Sequence, residues 1–556
     1  MFVRIKTTPN SPKKAVQIVE SFRDGNKIKQ RIVRHVGAAI NDDELKRMQE
    51  LAEHIKAGME QQGSQPGLFP AEEMAEIVIQ ARNRQTDEAL PVDLKKLREQ
   101  QRVIVGIHEV YGRVYEELGF DKVIPNPRRK PAAVKNLFHV VMGRIANPIS
   151  KMATVMDLSE NFGIELSLPS VYRMMDQIDE KVISLIQQQA YQTACGIFKQ
   201  KINVLFYDCT TLYFESFTED ELKENGYSKD MKFNQPQVLL ALLVTEHGLP
   251  IGYDVFPGSQ YEGHTLEKAV KTIEKDYQID EIVFVADSAM LSEENMRLLE
   301  SMGKRYIVGA RLKNMSKKDQ EKILDKTDYR LLHNPDDEYE YSVKEMDVNG
   351  RRLIVSYNEK NARKDAFDRE KSIERLLSKL KKNGTNPADL ISNFGYKKFL
   401  LLNGEATVEV NQEKIEREKL WDGIHGVITN HPDLTPKQII QQYHGLWQVE
   451  QCFRLSKHDL KIRPVFHWTP QRIKAHIAIC FMALTCIRYL NYRIKTQYTT
   501  LSEQQIRQKL LSVQISILKH QQSRILYGVP SSVNQEVKKI YHIMGMKISD
   551  VPFRIN

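Results

Sequence analysis

The chain has 556 residues, 41% hydrophobic and 28% charged, which excludes a mostly disordered or membrane-embedded protein and exceeds one ordinary compact core. Its formal charge of +9 is unevenly placed: residues 1–40 hold nine Lys/Arg against Glu20 and Asp24 (+7), and residues 454–526 hold thirteen against Asp459 and Glu503 (+11). The remainder is therefore about −9 (9 − 18), and two concentrated basic blocks fit a polyanionic partner better than dispersed solubility charge.

The five cysteines, Cys195, Cys209, Cys452, Cys480 and Cys486, form no C-x-x-C pair and no zinc-finger spacing, so reduced thiols in a cytosolic protein are expected. Met1-Phe2-Val3-Arg4-Ile5-Lys6 lacks the apolar core of a signal peptide, in keeping with a cytoplasmic location. Ile477 to Ile487, the most apolar run, ends at Arg488 and is short for a bilayer-spanning helix, so it reads as a buried helix.

In chain order, Val16 to Phe22 and Ile28 to Val36 are β-rich runs on either side of Arg23-Asp24-Gly25-Asn26, a hairpin turn signal. Lys27, Lys29, Arg31 and Arg34 decorate the second strand, as a charged protective edge or as DNA or dimer contacts. Residues 41–60 read as a helix and 61–67 as a flexible linker. From 88 to 198 the pattern is helical, including Val103 to Leu118, Ala132 to Ile145 and Ser170 to Gln189. Met152 to Leu158 followed by Ser170 to Arg173 has the outline of a helix-turn-helix, but its turn is long and its second helix is not very basic, so a plain helical bundle is the favoured reading.

At 202 the texture changes. Strands are predicted at Ile202 to Tyr207, Val238 to Thr245 and Ile251 to Phe256. A helix (Thr265 to Tyr277), a strand (Ile282 to Ala286), a helix (Glu293 to Met302) and a strand (Tyr306 to Gly309) follow, suggesting a mixed sheet with helices on its faces. Residues 314–420 break the alternation with β-like pieces around a highly charged helix near Ala362 to Lys382, before Ile424 to Thr429 resumes a core strand.

Asp208 and Asp287 close two of the predicted core strands, the edge where ligands and reacting groups collect in sheets with parallel strands. A third acid follows on a helix begun by Thr435-Pro436-Lys437-Gln438, a capping-box signal. If that helix runs past Lys457, Tyr443, Trp447, Glu450, Arg454 and Lys457 share one face at spacings of 4, 3, 4 and 3. Three carboxylates without His/Cys ligand clusters favour hard cations such as Mg²⁺ or Mn²⁺, and a pair of such ions suits phosphodiester chemistry. The alternative for Glu450 and Arg454 is an ordinary surface ion pair.

Around these residues the sequence resembles the DDE transposases of the "insertion sequence four" type. Asp208-Cys209-Thr210, Val285-Ala286-Asp287 and the run from Tyr443 through Glu450 to Lys457 carry the resemblance, with Gly226-Tyr227-Ser228-Lys229-Asp230, Phe256-Pro257-Gly258 and Asp422-Gly423. Of the family's Y-x2-R-x3-E-x6-K signature, Leu446 departs by replacing the Arg. The resemblance implies an α/β fold: an RNase H-like mixed sheet flanked by helices, interrupted by a β-rich/α insertion and preceded by a small β unit and a helical domain. The corresponding division is a basic hairpin unit with helix (1–60), a linker region (61–87), a helical DNA-binding domain (88–198), a catalytic domain (199–313 and 421–490), an insertion (314–420) and a basic helical C-terminal region (491–556). It further implies that Asp208, Asp287 and Glu450 hold two Mg²⁺ ions, with Mn²⁺ able to substitute. Tyr443, Lys457 and, in compensation for Leu446, Arg454 would contact DNA phosphates. Trp447 would either pack in the core or stack on a base, and His264 is more plausibly a helix-entry residue than a ligand. The implied substrates are double-stranded transposon ends and target DNA, gripped by a homodimer; a nuclease that cuts without joining and a domesticated DNA-binding protein are the competing readings.

Overall fold

The computed structural model describes residues 2–7, 14–24, 27–39, 74–83, 92–198, 203–215, 218–226, 234–277, 282–288, 292–332, 340–380, 400–403, 407–497 and 501–555, with scattered positions between 45 and 56. The linker read at 61–67 lies outside the described residues, and the helix at 41–60 is described only in part. At the N-terminus, β1 (Phe2–Thr7), β2 (Lys14–Asp24) and β3 (Lys27–Ala39) form an antiparallel sheet, one strand more than the predicted hairpin. Val16, Ile18 and Val36 give it a small core of its own, against which Met152 and Met156 pack.

Helix α1 (Met74–Asn83) is followed by β4 (Leu97–Ile104), then by α2 (Gly106–Glu117), α3 (Pro131–Ala146), α4 (Lys151–Phe162), α5 (Leu168–Met175) and α6 (Glu180–Phe198). The helix predicted from Val103 therefore starts three residues later. Residues 97–104 instead pair with a strand more than 400 residues away in sequence, a non-local partner that overrides the local pattern.

The central sheet is built from β5 (Val204–Tyr213), β6 (Gln237–Thr245) and β7 (Pro250–Pro257), then, after α7 (Leu266–Tyr277), β8 (Val283–Ala286), α8 (Glu293–Ser301) and β9 (Arg305–Gly309). Next come α9 (Lys317–Leu324), β10 (Arg330–Leu332), β11 (Tyr341–Val348), β12 (Arg351–Tyr357) and the charged α10 (Glu359–Leu380). The two-stranded β13 (Leu400–Asn403) and β14 (Thr407–Val410), α11 (Gln412–Lys419) and β15 (Ile424–Thr429) complete this stretch. The strand order is β10-β11-β12-β15-β9-β8-β5-β6-β7. Within it, β5, β6 and β7 are an antiparallel meander while β8 and β9 run parallel to β5, which is the RNase H-like arrangement. β6 is buried along its whole length, as expected for a strand covered on both faces. The predicted insertion is only partly a separate piece, because β12 pairs with β15 and β15 with β9, so β10–β12 extend the same sheet.

After β15, helices α12 (Pro436–His444), α13 (Trp447–Arg454) and α14 (Pro470–Gln497) lead into α15 (Glu503–Leu511), β16 (Gln514–His520), β17 (Leu526–Pro530), α16 (Gln535–Ile543) and β18 (Phe553–Ile555). The C-terminal region is thus mixed rather than helical. Gln514-Ile515-Ser516-Ile517 alternates polar and apolar residues, a strand period that a reading by charge overlooked. Helix α14 is long and apolar enough to cross a bilayer, yet 94% of its most apolar window is buried inside the fold, as the core reading of Ile477 to Ile487 expected.

Candidate active site

Asp208 does not end its strand. β5 runs on through the β-favouring Cys209-Thr210-Thr211-Leu212-Tyr213, and β6 accompanies it throughout. What stops near Asp208 is the pairing with β8: the parallel register is Val204↔Val283, Leu205↔Phe284, Phe206↔Val285. That offset is 79 residues (285 − 206), and the two acids are also 79 apart (287 − 208). Asp287, directly after β8, therefore stands level with Asp208 where the two strands part. Side chains level with each other on parallel neighbours project to the same face. Asp208 Oδ1 accepts from the Cys209 N–H at 2.7 Å and Asp287 Oδ1 from the Ser288 N–H at 2.5 Å. Burial pushes the neighbouring Cys209 thiol up to about 12, and the charge of Asp208 adds to it, so the thiol stays protonated.

The third acid lies on a broken helix, not the continuous one predicted. Thr435 and Gln438 form a complete capping box at the start of α12. The helix is interrupted at Gly445-Leu446, where Gly445 lies so close to the Phe206 ring that an added Cβ would sit 2.3 Å from Cζ. The departure from the family signature, Leu446, packs against the hydrophobic core at this break. Within α13, Trp447, Glu450 and Arg454 keep their 3,4 spacing and are all exposed; Trp447 is 51% exposed, which rules out core packing. Among the described residues Glu450 and Arg454 make no ion pair, so the bland surface-pair reading fails. Lys457 then falls in a π-helical turn, Leu455–Asp459, closed by Leu460 N–H to Leu455 O at 2.8 Å. The stripe therefore reaches Lys457 through a π turn and not along the continuous α-helix that was predicted.

Helix α13 packs on β5 and β6, whereas α12 packs on β8, β9, β12 and β15, so the break straddles the two acid-bearing strands. The Tyr443 hydroxyl lies over Gly309, next to Ser288. Its pKa is pushed up to about 12, first by burial and then by the negative charges of Asp287 and Glu450. Both carboxylates are thus within electrostatic reach of one phenol. Asp208, Asp287 and Glu450 offer an all-oxygen donor set suited to a hard divalent ion. Among the described residues no three such groups converge into a complete metal centre, so the acids are neighbours rather than an assembled cage. His264 sits in the 3₁₀ turn Glu262–Thr265 that enters α7, edge-on to Tyr261.

Sequence reasoning missed the parts that hold α13 from behind. Arg488 is buried and donates to Gly248 O (2.8 Å), Gln448 Oε1 (2.7 Å) and Glu503 Oε1 (3.3 Å). Glu503 Oε1 also accepts from Gln451 Nε2 at 3.1 Å and from Asn491 Nδ2. Gly248, at φ +78°, makes the β6–β7 turn that this network grips, and an added Cβ there would meet Arg488 at 1.9 Å. A second clamp lies below the π turn: Lys151 Nζ donates to His476 Nδ1 (3.3 Å), leaving Nε2–H of His476 for Ile462 O (3.1 Å), while Arg144 donates to Leu460 O (3.3 Å). Beside Tyr443 a cleft of about 350 Å³ is lined by Ser288, Arg311, Lys313, Trp421 and His425 among others; Trp421 adjoins the Asp422-Gly423 motif, the one sequence signal that pointed there.

The second basic block changes meaning as well. Arg472, Lys474, Arg488, Arg493 and Lys509 pair with Asp176, Glu180, Glu503, Glu117 and Glu536, respectively. Much of its charge is therefore structural.

Residues 199–486, just over half the chain, match the family described as Transposase DDE domain, and the chain belongs to that family. Residues 3–67 match a second family, the N-terminal domain of IS1634 family transposases. No curated protein matches the chain. Among solved structures, the piggyBac transposase synaptic complex with hairpin DNA is similar at 11% identity and TM-score 0.36, covering 73% of this chain and 76% of that one. The Mos1 transposase paired-end complex with left transposon end is similar at 11% identity and TM-score 0.14, covering 28% and 53%.

Proposed function

We propose that this transposase binds the inverted-repeat ends of an insertion sequence, cleaves them by metal-dependent phosphodiester hydrolysis and joins the resulting 3′-OH ends to target DNA. The observation that carries the proposal is the level placement of Asp208 and Asp287 on adjacent parallel strands, with the helix that carries Glu450 packed on β5. Asp208, Asp287 and Glu450 would hold Mg²⁺ or Mn²⁺, two ions in all. Such ions, when bound, polarise the phosphodiester and supply a nucleophilic oxygen at neutral pH. Arg454 and Lys457 would lie along the phosphates beside the scissile bond, with Tyr443 contributing a hydroxyl that its environment keeps protonated. The exposed ring of Trp447, one turn before Glu450, would stack on a base near the cleavage point. Two ends must be brought together, so the working form on double-stranded DNA would be a homodimer.

Asp208→Asn is expected to keep end binding and lose Mg²⁺-dependent nicking; nicking at the wild-type rate would remove Asp208 from the site. Pre-cleaved ends incubated with a target plasmid and Mg²⁺ distinguish the competing enzyme. Joined products support the transposase, and cleavage without joining supports an RNase H-like nuclease. The genomic DNA flanking the coding sequence, searched for matching inverted repeats, supplies the substrate.

A further inference from the structure

Phe466 and Trp468 are 62% and 68% exposed, although the segment that carries them is fastened at nearly every neighbouring residue. Val465 N–H donates to Tyr213 O at 3.2 Å and forms a parallel bridge with Phe214, continuing the line of β8 beyond Asp287. Arg463 stacks over the Tyr213 ring at 5.4 Å. The His467 ring turns inward, 5.2 Å from His476 and edge-on to Tyr172. Gln471 Nε2 donates to Ile178 O at 2.6 Å, and Arg472 makes a two-pronged bond to Asp176 at 2.7 and 2.8 Å while lying over Tyr172. A loosely held loop could turn such rings inward; this one is fixed with two large aromatic side chains facing solvent. Two large aromatic rings held out to solvent on an ordered segment are what a binding surface requires, and the charge around them bears on its partner.

The charge around it selects the partner. Between residues 454 and 474 there are six Lys/Arg and a single acid, Asp459. The acids facing the segment from the helical region, Asp176 and Glu180, are taken up by Arg472 and Lys474. Lys461, in the left-handed region at φ +44°, is exposed just before the aromatic pair. Aromatic side chains beside positive charge, with Asp459 and the exposed Glu215 after Phe214 as the acids left over, are a surface on which unpaired nucleotides stack. Phe214 lies six residues beyond Asp208 along β5, roughly 20 Å at about 3.3 Å per residue. At the duplex rise of about 3.4 Å per nucleotide along one strand, that separation is spanned by about six paired nucleotides between the carboxylates and the aromatic pair.

We infer that Phe466 and Trp468, with Lys461 and Arg463, form a ledge that binds unpaired DNA bases about six nucleotides from the catalytic carboxylates, a second nucleic-acid subsite on the same chain. This rests on the reading of the protein as a DNA transposase and adds to it a preference for locally unpaired DNA.

The test compares the full-length chain with its Phe466→Ala/Trp468→Ala variant, measuring affinity for a 20-nucleotide oligo(dT) and for a 20-base-pair blunt duplex across a salt series. Because both side chains are exposed, the variant should melt with the wild type. The expected result is an oligo(dT) affinity about tenfold weaker or more, near-unchanged duplex affinity, and an unchanged salt slope, since only stacking is removed. Phe466→Tyr/Trp468→Tyr should restore oligo(dT) binding. Equal loss on both DNAs, or none on oligo(dT), overturns the ledge and leaves the transposase reading intact. A change in sedimenting mass with oligo(dT) binding unaltered also overturns it, assigning the surface to a second copy of the chain. Absence of all DNA binding by the wild type overturns both readings.

Discussion

The two halves of the candidate site are built in opposite ways. Asp208 and Asp287 are placed by backbone: parallel strands in fixed register, buried residue after residue, set both acids level. Glu450 is placed by side chains. Its helix is eight residues long, interrupted before it and π-turned after it, and it is held from behind by Arg488, Glu503 and Gly248, which are distant in sequence. A strand pair tolerates substitution of its surroundings because hydrogen-bond register fixes it. A short helix held by one buried polar network depends on every member of that network. The strand half is therefore the rigid half, and the helix half is where single changes far from the chemistry should be felt.

The largest effect expected is at the acids themselves. Glu450→Gln and Asp287→Asn should each lower the nicking rate by about a hundred- to a thousandfold or more, the scale of losing a principal electrostatic stabiliser, with end binding retained. Gel-based nicking with parallel binding measurements checks this; equal rates for either variant and the wild type would break the equivalence of the two halves.

Next comes the support of α13. Arg488→Met leaves the largely covered Glu503 without its cation, though still hydrogen-bonded to Gln451 and Asn491, and should cost about 2–4 kcal/mol of stability. Cleavage should fall further than binding, because Gln448 and Gln451 lose their anchor while the strands do not. Chemical denaturation alongside a nicking assay would show it, and a loss below about 1 kcal/mol would mean that the helix half is held otherwise.

A pH effect follows from the second clamp. Burial, reinforced by Arg144, lowers Lys151 to about 7. Its folded pKa is thus below its unfolded value, so between about pH 7 and about 10 the unfolded chain binds the extra proton, and stability rises with pH across that window. The rise should approach about 1.4 kcal/mol per pH unit at most, and it is lost as pH falls through about 7. Lys151→Met should flatten this dependence; an unchanged stability–pH profile between wild type and variant would contradict it.

The smallest effect sharpens the map of DNA contacts. Arg454→Ala should reduce the slope of log affinity against log salt by about one, uniformly across sequences. Neutralising Lys509, which pairs with Glu536, should leave the slope alone. Equal slope changes from the two would restore the whole 454–526 block as the binding surface.

The strand half was legible in the sequence because its signals are local: apolar runs ending in Asp, with helices between them. Even there, Asp208 was read as a strand end when β5 continues to Tyr213, since a strand's length depends on the neighbour it keeps. The helix half was legible only in part. The capping box at Thr435 and the 447, 450, 454 stripe were visible, but the break was not, because Gly445 yields to the Phe206 ring, a contact no local pattern contains. Charge counting found the block at 454–526 but not which cations were already engaged; Arg493, for instance, pairs with Glu117, 376 residues earlier. The strand β4 was read as helix for the same reason, its partner β16 being supplied from the far end of the chain.

The central claim, that the three carboxylates act by holding divalent metal, is tested most directly by Asp208→Cys assayed for nicking of a transposon-end plasmid in Mg²⁺ and in Mn²⁺. A thiolate is a poor ligand for Mg²⁺ and a better one for Mn²⁺. The variant should be inactive in Mg²⁺ and recover measurable nicking in Mn²⁺. Wild-type nicking in Mg²⁺, or an equal loss in both metals, would contradict a metal-holding role for Asp208.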